Sequence, residues 1–230
     1  MAHPAHIQTL IENANEVIKL IGLHVAITGK KAGRRRGVEI LNKSALVLLV
    51  ACWESFVEDV AALGFEFLLK EAKTPHIFPS SVLTLSAKSL REDGDHRKIW
   101  QLAGDGWKSV LIAHKQNVLK EYAGKLNTPR PKRVNELLEK MVGLKGLSNQ
   151  WKWHGMSASQ ACEKLDMLVT TRGEIAHRVR AGKYVRKEYV AQTADFIQRL
   201  AAITSNRVAQ HIQKQVGKEP WSEMKFMGTH

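Results

Sequence analysis

Cysteine is scarce in this chain. Cys52 and Cys162 are the only two, they lie far apart, and neither has a partner at CxxC spacing. That argues against a disulfide framework and against cysteine-held zinc, and it points to a reducing, cytoplasmic setting. His24, His76, His96, His114, His154 and His211 form no HExxH or other paired spacing, so no metal site is expected. No glycine-rich loop follows a strand, which leaves nucleotide hydrolysis without support and no cofactor implied. Long hydrophobic runs are missing as well. The longest, Ala45 to Trp53, has nine residues, whereas a membrane span needs about 20. The start, MAHPAHIQTLIEN, has no basic stretch followed by an apolar one, so a secretory signal is not expected. Acidic residues are the minority: 22 Asp and Glu face 35 Lys and Arg, giving a formal charge of +13 over 230 residues. Such an excess raises the local concentration of polyanions, nucleic acid among them.

Strand-like alternation is also absent, and helical periodicity fills the chain. A first helix is expected over 6–23, with Ile7, Leu10, Ile11, Ala14, Val17, Ile18 and Ile21 on one side. A basic loop, GKKAGRRRG, follows at 29–37. The second helix, about 38–71, is apolar almost all round in its middle, which predicts a central place in the core. Pro75 and Pro79 end it. Further helices are expected over 82–90, 98–122 and 134–144, with REDGDH (91–96) as a turn and PRPKR as a break at Pro129 and Pro131. Ser157 or Ser159 is placed to cap a helix running through ACEKLDMLVTTRGEIAHRV, with Ala181-Gly182 as its stop. The last helix, about 187–216, carries the stripe Val190, Ala194, Ile197, Ala201, Thr204, Val208 and Ile212. The expectation is an all-α single domain over 1–230 with six or seven helices, in which 75–153 reads as a candidate helical insertion into a bundle formed by the rest.

Three stretches carry a family resemblance. NKSALVLLVACWESFVEDV (42–60) is similar to the long core helix of the HEPN superfamily, RiboL-PSP-HEPN-like branch. TRGEIAHR (171–178) fits that superfamily's Arg-x4–6-His motif through Arg172 and His177, and VGKEPW (216–221) is similar to its glycine-then-Pro-Trp ending. Arg91 and His96 have the same spacing, but Asp93-Gly94 between them reads as a turn. The resemblance implies a helical bundle that dimerises and brings two Arg-His motifs to one cleft. It also implies metal-independent endoribonuclease activity of a toxin or defence type, with an antitoxin or other regulatory protein as a further partner. Many active members carry a polar residue directly after the arginine; here that residue is Gly173, followed by Glu174.

The residue types suit the chemistry. Metal-free RNA cleavage needs the 2′-hydroxyl to attack the adjacent phosphorus, a group to take its proton, and a group to protonate the leaving 5′-oxygen. Histidine titrates near neutral pH and serves the proton steps. Arginine's fork holds phosphate oxygens and stays charged. Arg172 and His177 are therefore the catalytic candidates, with Glu174 supporting them. Their spacing sets a geometric condition. Five positions on a straight helix separate two side chains by about 140°, so the pair does not share a face and must act by distortion or across a dimer. His177 near a helix C-terminus favours imidazolium and a general-acid role.

Arg178, Arg180, Lys183 and the loop residues Arg34, Arg35 and Arg36 are candidate RNA contacts. Trp151 and Trp153, flanking Lys152, either stack on unpaired bases or close a core edge, the commoner role. The alternative to an enzyme is a catalytically inactive HEPN-like module that binds RNA or protein. A third reading makes the bundle purely structural: Arg172 pairs with Glu174, Glu163 or a neighbouring helix, and His177 bridges helices.

Overall fold

The structure, a computed structural model, describes residues 3–28, 39–92, 94–123, 129–177 and 184–224. Six helices of twelve residues or more account for most of them: α1 (Ala5–Thr28), α2 (Glu39–Glu71), α5 (Gly106–Ala123), α6 (Pro131–Val142), α7 (Ala158–His177) and α8 (Lys187–Val216), with two short helices, α3 (Ser80–Ser86) and α4 (Lys88–Glu92), between α2 and α5. No strand pairs among the described residues; a single isolated bridge joins Trp153 and Met156. The chain is all-α, as its periodicity predicts. No described helix is long and apolar enough to cross a membrane.

Differences from expectation cluster in the middle. The 82–90 helix divides into α3 and α4, and the 98–122 helix begins only at Gly106, after a tight turn of 3-10 helix over His96–Leu102. Pro131 does not break the chain. It occupies the first turn of α6, where its missing N–H would have had no helical partner anyway.

Helix α2 is the axis of the bundle. It touches α1, α8, α6, α7 and α5, which accounts for a sequence that is apolar on every side. Trp53, Phe56, Phe65, Leu46, Leu49 and Leu68 are all buried, each contributing roughly 1.5–3 kcal/mol. Gly64 lets two neighbours close in: a methyl placed there would lie 3.0 Å from Ile212 and 3.3 Å from Val208 of α8. Residues of the 75–153 segment belong to the same core. Trp53 donates its indole N–H to the Pro129 carbonyl at 3.0 Å, and the fully buried Trp151 packs edge-on against Trp53 while donating to Thr204 Oγ1 of α8 at 3.0 Å. Trp153 lies half-buried against Phe196. Both tryptophans close core edges.

The two ends of the described chain meet. His6 is buried, and its Nε2 lies 2.8 Å from Ser205 Oγ. Trp221 stands edge-on to the His6 ring at 4.7 Å and donates to the Ser205 carbonyl. The turn that brings Trp221 back begins at Gly217, which ends α8 with φ near 72°.

Two predictions follow from these contacts. Burial pulls the His6 pKa down from 6.5 to about 4. Above pH 6.5 both folded and unfolded chains hold a neutral ring. Between there and pH 4 only the unfolded chain takes the proton, so stability falls with falling pH, by about 2 kcal/mol at pH 5. Thermal melting at pH 7.5 and pH 5 should show the loss, and His6→Gln should shrink it; an unchanged pH dependence in that variant would refute the assignment. Gly143 ends α6 with φ 74°, and a methyl there would lie 2.4 Å from Pro79. Gly143→Ala should cost about 1–2 kcal/mol for the left-handed backbone alone, read as a lower denaturation midpoint, with the Pro79 clash adding to it.

Candidate functional site

Helix α7 begins with a reciprocal cap. The Gln160 side chain accepts from the Ser157 N–H at 2.9 Å, and Ser157 Oγ accepts from the Gln160 N–H at 3.3 Å, the arrangement that stabilises helix starts of this pattern. Ser157, not Ser159, is thus the capping residue. The inward face carries Ala161, Leu165, Leu168, Val169 and Ile175. Arg172, seven positions after Leu165, continues that face and is half-buried. His177 is the last described residue of α7 and is exposed.

The helix is regular between them, so the side chains diverge by about 140°. The motif's two residues therefore do not converge within one chain. Glu174 is exposed, and the residue after Arg172 is a half-buried glycine. Arg178, Arg180, Lys183, Arg34, Arg35 and Arg36 lie outside the described residues. Arg91 and His96 fall in separate elements, on α4 and at the start of the 3-10 turn, with Gly94 between them at φ 74°.

The charge of Arg172 acts on the carboxylate of Glu54 on α2. Burial pushes the Glu54 pKa up, and the positive charge of Arg172 opposes that rise. Glu58, one turn further along α2, is also pushed up, by burial and by the charges of Glu54 and Asp59. Across from this pair stands Tyr122, at the end of α5. Burial raises its pKa far above the ordinary phenol value, and Glu54 and Glu58 add to the rise while Arg133 of α6 opposes it. Arg172 thus lies within electrostatic reach of an acidic patch of the central helix.

Arg130, at the start of α6, was not legible as a site residue because PRPKR reads as a chain break. In the fold it reaches α7. Its Nη1 donates to Asp166 Oδ1 at 2.9 Å and to the Asp166 carbonyl at 3.2 Å, and its Nη2 donates to Thr170 Oγ1 at 3.0 Å. Among the described residues no group of three His, Cys, Asp or Glu side chains is arranged to hold a metal ion.

One consequence is measurable. The Tyr122 hydroxyl is buried and has no protein hydrogen-bond partner among the described residues. An unpaired buried hydroxyl costs about 1–3 kcal/mol. Tyr122→Phe should therefore leave stability unchanged or raise it by about 1 kcal/mol in denaturant titration; a loss above that size would mean the hydroxyl is paired.

No curated protein and no solved structure matches the chain. A family model does: RiboL-PSP-HEPN matches residues 8–210, running through the middle segment as well as the flanking helices. With the helical bundle and the Arg-His motif on its seventh helix, this match establishes that the chain belongs to the RiboL-PSP-HEPN family, part of a superfamily of nucleases and RNA-binding domains.

Proposed function

We propose that the protein is a metal-independent endoribonuclease of toxin or defence type, in which Arg172 holds the scissile phosphate and His177 moves protons. The observation that carries the reading is the placement of His177: exposed, in the last described turn of α7, where its ring can reach a bound strand. The 2′-oxygen attacks phosphorus, the bond from phosphorus to the 5′-oxygen breaks, and His177 delivers a proton to that oxygen. The products are a 2′,3′-cyclic phosphate and a 5′-hydroxyl. The proton leaving the 2′-hydroxyl needs a second base. Because Arg172 and His177 diverge on one helix, two copies meeting at α7 supply both the base and a convergent arginine, which is why a homodimer is part of the reading. RNA is the substrate, and an antitoxin or regulatory protein is the further partner proposed.

The half-buried position of Arg172 and the action of its charge on Glu54 favour a second reading, an inactive HEPN-like RNA- or protein-binding module in which this arginine has a structural electrostatic role.

Incubation with RNA in EDTA separates the two. Cleavage leaving 2′,3′-cyclic phosphate ends is expected, and His177→Ala should lower its rate by a factor of about 10²–10⁴, the range for loss of a positioned acid or base. RNA that is bound but left whole would overturn the enzyme reading and support the second.

A further inference from the structure

We propose that Arg130 is an RNA-binding residue, holding a backbone phosphate of a strand that lies along the face of α7 carrying His177. The inference rests on the assignment of RNA as the ligand of the exposed face of α7.

The argument begins with helix register. Thr170 precedes His177 by seven positions, which leaves it about 20° from the same direction; Asp166 precedes it by eleven, about 20° to the other side. Asp166, Thr170 and His177 therefore form one strip along α7. Arg172 lies about 140° from His177, outside that strip. The three hydrogen bonds that hold Arg130 go to Asp166 and Thr170. They fix a guanidinium over the face that His177 occupies, beginning about 10 Å back along the helix axis. Between Thr170 and His177 the strip is flanked by Gly173, which carries no side chain, and by the exposed Glu174.

Arg130 is also fit to bind. A guanidinium has five N–H donors. The three bonds to α7 use both donors on Nη1 and one on Nη2. The Nε–H and the second Nη2–H have no partner among the described residues. The side chain remains 32% exposed, so those donors are not sealed in the core. Asp166, itself 48% exposed, takes part of the positive charge but also aligns the fork. An arginine held in this way loses little further freedom when a phosphate arrives. Among the described residues, then, an arginine held on the His177 face comes from the start of α6 and not from the motif.

The test uses full-length protein carrying His177→Ala, so that RNA stays whole, and a fluorescently labelled single-stranded RNA oligonucleotide titrated at several NaCl concentrations. Adding Arg130→Gln should weaken binding about tenfold and flatten the plot of log Kd against log salt by about 0.7, the counterion share of one phosphate on a single strand. Arg130→Lys keeps the charge and loses the fork. It should bind several-fold more weakly at nearly the parental salt slope, and it carries the test if Arg130→Gln unfolds. Melting temperatures distinguish lost contact from lost fold. Parental Kd and slope in the folded variants would overturn the proposal. Wild-type protein that cuts RNA while Arg130→Gln binds as the parent does would overturn this proposal alone. Arg130-dependent binding without cleavage by the wild type would support it and remove only the enzyme reading. Absence of any RNA binding would overturn both.

Discussion

Everything in this bundle is arranged by the need to keep α2 dry. A helix of 33 residues whose middle is apolar almost all round cannot lie on a surface, as an amphipathic helix can. It has to be enclosed, and α1, α5, α6, α7 and α8 each take part of its circumference. Glu54, Glu58 and Asp59 interrupt its apolar middle, and burial raises the pKa of all three. Arg172 of α7 is half-buried and its charge acts on Glu54, while His177 on the same helix is exposed.

Helix α6 acts as a strut between the core and α7. At its start, the Pro129 carbonyl accepts from Trp53 and Arg130 reaches Asp166 and Thr170. At its end, two carbonyls that no longer have helical donors are taken up from either side. His114 of α5 donates to Lys140 O at 2.8 Å, and His211 of α8 donates to Val142 O at 2.9 Å. Burial lowers the pKa of both imidazoles, which suits neutral rings serving as structural donors. Both ends of α6 are therefore anchored by side chains from other helices, which keeps Arg130 in register with α7.

Much of the fold was legible because hydrophobic periodicity reports burial directly. α1, α2 and α8 follow their apolar stripes, and α2 takes the central place that its composition implies. The stretch from 82 to 102 was harder. Its short helices are selected by packing on α5 and α6, and no repeating stripe marks where one stops and the next begins. The divergence of Arg172 and His177 could be computed from spacing alone, since it depends only on the helical repeat. Glu54 as the neighbour of Arg172 could not, because the register between α2 and α7 is set by side-chain packing far apart in sequence. Arg130 was hidden for the same reason, inside a proline-rich stretch that reads as a break. His6 was hidden differently. A lone histidine near the start of a chain carries no spacing signal, and only Ser205 and Trp221, some two hundred positions later, give it a role.

The meeting of His6 with Ser205 and Trp221 also bears on how the molecule is made. Helical bundles usually fold fast because their contacts are local. Here the enclosure of α2 is completed by the last helix: Ile212 and Val208 close over Gly64, Thr204 accepts from Trp151, and Ser205 joins His6. A nascent chain that has emerged only as far as α7 exposes the apolar flank of α2 that α8 will cover, with nothing of its own to cover it. Synthesis therefore leaves the core incomplete until the final helix is released. Over that interval the exposed flank is the part of the molecule most open to chaperone capture or to misassembly with another unfinished chain.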